Sequence, residues 1–179
     1  MKRSDIALLL QRAQAVIHHT DYVIIGSLSI LGATDTPPLA MLGSIDVDLY
    51  PADDPRRADE VGRALGLGSP FELEFGYYAD PVSPSLATLP DGWQARLIQV
   101  PLDGGVTAWF LDPNDAAISK YARCEDRDRR WLRAGLQAKI LSLAVIEYRL
   151  RNETVMRDGE LERARAAMDD DRSWLVRAS

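Results

Sequence analysis

A chain of 179 residues makes one domain, or a domain with a small appendage, and is long enough to bury a real core. Its 46% hydrophobic and 27% charged residues are ordinary for a globular protein, no run approaches the apolar length of a membrane span, and the single cysteine, Cys124, excludes an internal disulfide framework. A net charge of −6 argues against a protein that coats nucleic acid nonspecifically, because such binding rests on neutralising phosphates, and leaves room for a local basic patch.

The opening "MKRSDIALLLQRAQAVIHH" starts basic, but Gln11 and Arg12 interrupt its apolar part, so it reads as an amphipathic helix over 4–18 capped by Ser4 rather than a secretory signal. A cytoplasmic location is the expectation. "YVII" follows as a short strand ended by Gly26, and "SLSILGA" has room for only a brief helix before the prolines of "TDTPPLAMLG" mark a loop. "SIDVDLY" is the second strand. "DPRRADEVGRALG" predicts a helix with Asp54 as cap, Pro55 at the first position and Gly66 at the end.

"FELEFGYYA" alternates like a third strand broken by Gly76, and "DPVSPSLATLPDGW" reads as irregular. "QARLIQVP" and "VTAWFLD" predict a hairpin around "LDGG". Asp112-Pro113 starts a helix running to Cys124, with Asp115 set to complete its first-turn cap. One or two helices follow over 126–151, then a short charged helix and a final apolar turn at Trp174-Leu175. Residues 1–125 read as an α/β core and 126–179 as a helical extension of the same domain.

Two stretches carry chemistry. In "SIDVDLY" the extended chain sends Asp46 and Asp48 to one face and the apolar side chains to the other. Two like charges on one face cost stability unless a cation lies between them, and hard carboxylate oxygens suit Mg²⁺ while leaving positions for substrate phosphates. In "YVIIGS" a strand runs into Gly26-Ser27 and a helix start. Glycine there permits close backbone approach to a phosphate chain, and a helix N-terminus supplies free N–H groups. Read singly, the first is as well explained by two aspartates on an edge strand, and the second by a plain chain reversal.

Together and in this order, "VIIGS" and "SIDVDLY" resemble the signature of the nucleotidyltransferase fold superfamily, the DNA polymerase β-like group. That signature is apolar-Gly-Gly/Ser, a spacer, then apolar-Asp-apolar-Asp/Glu-apolar. "LDPNDAAISKYARCEDRDRRWL", residues 111–132, is similar to the Lys-containing helix and following Arg-Asp of the AbiEii-type toxins, nucleotidyltransferases of toxin–antitoxin and phage-defence systems. The resemblance spans roughly residues 20–135. It implies an α+β fold, a nucleotidyltransferase-like mixed sheet flanked by helices with a helical C-terminal portion. It also implies an enzyme that moves NMP from an NTP to an RNA, tRNA included, or to a protein, with an antitoxin protein as a further partner and no membrane. The alternative is a catalytically reduced module of the same fold that binds a nucleotide or a partner protein.

The same resemblance assigns roles. Asp46 and Asp48 would hold Mg²⁺, or Mn²⁺, and two ions about 3.5–4 Å apart would clamp the attacking and leaving oxygens. Gly26 and Ser27 would grip the triphosphate, Lys120 would offset its charge, and Asp128 corresponds to the downstream aspartate of the toxins. Two departures stand out: the 18 residues between Ser27 and Asp46 imply an extended loop near the site, and the usual third carboxylate is not evident, with Asp80 and Glu74 as candidates.

Read without the resemblance, Lys120 is a surface lysine and Asp128 an ion-pair partner one turn from a basic residue. The arginines 123, 127, 129, 130 and 133 suit either an RNA end or a solvated helix face laced with Glu125, Asp126 and Asp128. His18 and His19 read as helix-end or surface residues, Cys124 as filler, and Trp93, Trp109, Trp131 and Trp174 as packing.

Overall fold

The strand Asp21–Ile24 (β1) is the middle of a five-stranded sheet in the computed structural model, which describes residues 1–178. The other strands are Asp46–Pro51 (β2), Tyr78–Pro81 (β3), Ile98–Leu102 (β4) and Val106–Phe110 (β5), in the order β3-β2-β1-β5-β4. β1 runs antiparallel to β2 and parallel to β5; β2–β3 is parallel and β4–β5 antiparallel. Tyr22, Val23 and Ile24 are all buried, so β1 is covered on both faces, which suits its run of apolar residues.

The helices are Arg3–Ile17 (α1), Ile30–Ala33 (α2), Ala58–Leu65 (α3), Pro70–Phe75 (α4), Pro113–Arg123 (α5), Asp126–Gln137 (α6), Leu143–Asn152 (α7) and Asp158–Ala178 (α8). α1 packs on α3, and both rest on the sheet, while α5 gathers α6, α7 and α8 around itself. This is the α+β class that the sequence predicts, a mixed sheet flanked by helices with a helical C-terminal portion. One hydrophobic core runs from Ile6, Leu9 and Leu10 through the strands to Trp131, Leu132, Ala164 and Met168. None of the helices is long and apolar enough to cross a membrane among the described residues.

Several elements differ from the sequence reading. Residues 70–75 are helix, not strand: Ser69 accepts the N–H of Glu72 at 3.2 Å, Pro70 takes the first position, and Gly76 ends the turn at φ +75°. Phe71 and Phe75 are four apart, so the helix lays their rings together at 4.8 Å and leaves Leu73 exposed. Ser4 lies inside α1 rather than capping it, and the Asp5 carboxylate accepts the Lys2 N–H at 2.7 Å instead. Asp54 makes no cap, since its carboxylate takes the Arg56 guanidinium at 2.9 Å, and residues 55–57 form a 3₁₀ turn before α3. The C-terminal tail is one 21-residue helix, not a short helix and a turn.

Asp115 does not cap α5 either. Asp112 performs that role alone, accepting the N–H groups of Asn114 at 3.0 Å and Asp115 at 3.3 Å. The fully buried Asp115 carboxylate instead holds Arg96 at 2.8 Å and Arg149 at 2.7 Å, tying the 93–96 turn and α7 to α5.

Candidate active site

Asp46 and Asp48 alternate with buried Val47 and Leu49, so β2 sends both carboxylates to one face as the strand pattern requires, while Ile45 precedes the strand and is exposed. The parallel register sets Asp80 of β3 directly beside Asp48. Ligand oxygens from Asp46, Asp48 and Asp80 all lie within 4.8 Å of one another. Glu74, the other candidate for a third carboxylate, is exposed on α4 and is not part of this trio.

The charges in the trio are unbalanced. Burial, then the carboxylates of Asp46 and Asp80, push Asp48 up to about 7, against the opposing pull of Lys120 and Arg123. Asp80 is raised as well, by burial and by Asp46. Three hard oxygen donors this close form a donor set that a divalent cation fits. Ser44, the one residue of the 34–45 loop lining the cavity, donates its hydroxyl to Asp46. The rest of that loop turns away, with Met41 fully buried against α6.

Gly26 ends β1 at φ +72° and ψ −156°, a conformation closed to most side chains. A Cβ at this position would overlap the Asp48 carboxylate, so the absence of a side chain is what lets the β1 turn abut the acidic strand. Ser27 opens a three-residue 3₁₀ turn that leads into the four-residue α2. So short a helical segment carries little macrodipole, and the positive charge at the turn comes from elsewhere.

Lys120 supplies it. It is not a surface lysine: only 4% of the residue is exposed, and its ammonium donates to Ser27 Oγ at 2.8 Å and to Asp128 at 3.4 Å. Burial lowers its pKa, with Asp128 opposing that shift. The Trp131 ring lies 4.8 Å from the ammonium, and the Trp131 indole N–H donates to the Ser27 carbonyl at 3.2 Å. Trp131 is therefore both packing and a brace for the Gly26-Ser27 turn, a role that spacing alone does not reveal.

Asp128 is buried to 1% and sits behind Lys120. Its carboxylate accepts a fork from Arg123, at 2.8 and 2.7 Å, and the backbone N–H of Glu125 at 3.3 Å. Burial would raise its pKa, but Arg123 and Lys120 outweigh that and hold it below the usual carboxylate range. It orients two cations rather than facing the cavity.

The trio, the Gly26-Ser27 turn, Lys120 and Arg123 border one cavity of about 590 Å³, a size typical of small-molecule sites, with Asp128 and Trp131 behind its wall. Gly26, Ser27 and the three aspartates line one side, and Lys120, Arg123, Arg127 and Arg163 line another. The basic stretch 123–133 thus divides. Arg123 and Arg127 reach the cavity, Arg129 and Arg133 pair with Asp170 and Asp171 of α8, and Arg130 is exposed. Arg163 was outside the sequence reading; only the fold-back of α8 onto α5 brings it near. His18 closes α1 in a left-handed turn, Cys124 does the same for α5, and neither lines the cavity.

No curated protein and no solved structure matches the chain. A family model does, described as a nucleotidyltransferase of unknown function (DUF6036), and its match runs over residues 4–175. With almost the whole chain covered and the paired strand and glycine turn in place, the protein belongs to that nucleotidyltransferase family.

Proposed function

We propose that the protein is a Mg²⁺-dependent nucleotidyltransferase that moves NMP from an NTP to an acceptor hydroxyl on RNA or protein. The observation that carries this reading is the trio Asp46, Asp48 and Asp80, set beside the Gly26-Ser27 turn and lining one cavity with Lys120. The three carboxylates would hold Mg²⁺, or Mn²⁺ in its place, which supplies charge stabilisation for phosphoryl chemistry when bound. Gly26 leaves room for a phosphate against the backbone, and the Ser27 hydroxyl with the Lys120 ammonium binds its oxygens. In the reaction the acceptor oxygen bonds to the α-phosphorus, the bond to the β-phosphate bridging oxygen breaks, and pyrophosphate and the hydroxyl proton are released. Lys120 offsets charge that grows on the departing pyrophosphate, and Asp128, with Trp131, keeps its ammonium aimed at Ser27.

The position of Asp80 supports a transferase over a module that only binds nucleotide, the alternative favoured when a third carboxylate is missing. The likeness of residues 111–132 to the AbiEii-type toxins supports a role in a toxin–antitoxin or phage-defence system, with an antitoxin protein as partner. The core shared by the sheet and by α6 and α8 supports reading residues 126–179 as an extension of the domain formed by 1–125.

The test is incubation with each labelled NTP, Mg²⁺ or Mn²⁺, and total RNA or total protein. Label should enter a discrete species with the wild type and not with Asp46→Asn plus Asp48→Asn. Tight NTP binding with no labelled acceptor under any condition would favour the binding module.

A further inference from the structure

The cations around the cavity fall into two sets. Lys120 and Arg123 form an inner set: both are anchored on buried Asp128, and the charge of each acts on Asp48. Arg127 and Arg163 form an outer set. The Arg127 side chain is 65% exposed and, among the described residues, its one ion pair is with the half-exposed Glu125, at 2.8 Å. Arg163, also exposed, donates to the Ala122 carbonyl at 3.4 Å and, among the described residues, pairs with no carboxylate.

The outer set is held in place by buried structure. Asp171 of α8, fully buried, accepts from Tyr121 of α5 at 2.9 Å and from Arg129 and Arg133 of α6 at 2.8 and 2.9 Å. A buried carboxylate is costly unless it is fully partnered, and here three donors from two helices partner it. The lock fixes α8 against α5 and α6, and so keeps Arg163 beside the cavity at the end of α5, while Arg127 lines the same cavity from the first turn of α6.

We propose that Arg127 and Arg163 form a second anion subsite, outside the triphosphate site, that binds the phosphodiester backbone of an RNA acceptor. This rests on the transferase reading and chooses between its acceptors. A strand end brings a phosphate with every nucleotide, whereas a Ser, Thr or Tyr hydroxyl brings none. Two guanidinium groups at the rim, one lightly paired and one with only a backbone contact, match the first chemistry. The overall charge of −6 leaves little attraction elsewhere on the surface, so the footprint is short and centred on the cavity.

Fluorescence anisotropy with a short single-stranded RNA bearing a free 3′-hydroxyl tests the subsite directly, with DNA of the same sequence and a serine-rich peptide as further arms. The wild type should bind the RNA, and Arg127→Ala plus Arg163→Ala should weaken binding by about tenfold. The salt dependence should become shallower by about 1.4 in its log–log slope, the value for two lost contacts to a single strand. Arg130→Ala, an exposed arginine of α6 that does not line the cavity, should bind RNA as the wild type does. In the labelling assay the double variant should lose labelled RNA while its affinity for NTP with Mg²⁺ stays within about threefold. RNA binding unchanged in the double variant, no binding by the wild type at low salt, or label confined to protein would each overturn the proposal. If the transferase reading itself fails, RNA binding and its loss in the double variant persist while no acceptor is labelled.

Discussion

Asp80 stands opposite Asp48 in the parallel register of β2 and β3, and Asp46, two residues before Asp48 on the same face, completes a trio of converging carboxylates. The pairing explains why a third acidic group is hard to see along the chain. Asp80 lies 32 positions beyond Asp48 and sits just before a proline, with no local pattern of its own. Strand pairing, not sequence spacing, brings it in.

If the trio holds Mg²⁺, calorimetry should show NTP binding that strengthens with Mg²⁺, and Asp46→Asn plus Asp48→Asn should abolish the strengthening. Asp80→Asn alone should weaken it less, since two ligands remain. Nucleotide affinity in the double variant equal to that of the wild type would remove the metal site from the mechanism.

Gly26 offers a sharper probe of the turn. Gly26→Val meets two penalties, a positive φ and overlap with the Asp48 carboxylate, so a loss of roughly 2–4 kcal/mol in stability and near-complete loss of NTP binding are expected. Ser27→Ala removes only the hydroxyl that Lys120 donates to, and should weaken NTP binding modestly with the fold intact. Nucleotide binding by a folded Gly26→Val protein at wild-type strength would reduce the turn to a structural feature.

How much of this was legible beforehand depends on whether the cause is local. The β1 strand and its glycine, the Asp46–Asp48 alternation, the hairpin at Gly104-Gly105 and the Asp112-Pro113 helix start are local, and each follows from side-chain period or turn chemistry. Residues 71–75 are ambiguous because Phe-Glu-Leu-Glu-Phe satisfies a period of two and an i,i+4 pair alike; the Ser69-Pro70 start and Glu72 decide for helix. The burial of Lys120 was illegible because its partners, Ser27, Asp128 and Trp131, come from three separate segments. Asp115 and Asp171 carry the same lesson, because the arginines that close on them come from other segments of the chain.

Asp48 makes the metal-free protein pH-sensitive in a definite direction. Its carboxyl titrates in the ordinary acidic range when unfolded and near 7 when folded, so between those limits the folded state holds the extra proton. Stability therefore falls as pH rises through that window and levels off above about 7. Thermal unfolding in chelator should show this fall, and Asp48→Asn should flatten it. Added Mg²⁺ should stabilise increasingly as pH rises, because the cation and the proton compete for the same oxygens. A wild-type profile as flat as that of Asp48→Asn would mean that neither burial nor the neighbouring carboxylates raise the Asp48 carboxyl.

Lys120 separates an enzyme from a binding module, and its burial changes what a substitution must be expected to do. Lys120→Ala removes a largely buried ammonium with three partners, so stability should drop by roughly 1–3 kcal/mol. The fold should survive, since the Arg123 fork still neutralises Asp128. Lys120→Met keeps an apolar stem of similar length in the buried position and should recover part of that loss without restoring charge. For the reaction, a cation facing the leaving pyrophosphate matters more in the transition state than in the bound NTP. Both variants should thus lose roughly 10²–10³ in kcat while nucleotide Kd shifts by a few-fold. Asp128→Asn should fall between, with Lys120 present but less firmly aimed. Equal losses in kcat and binding would make Lys120 a ground-state phosphate ligand only, and a Lys120→Met protein as active as the wild type would take the residue out of the chemistry.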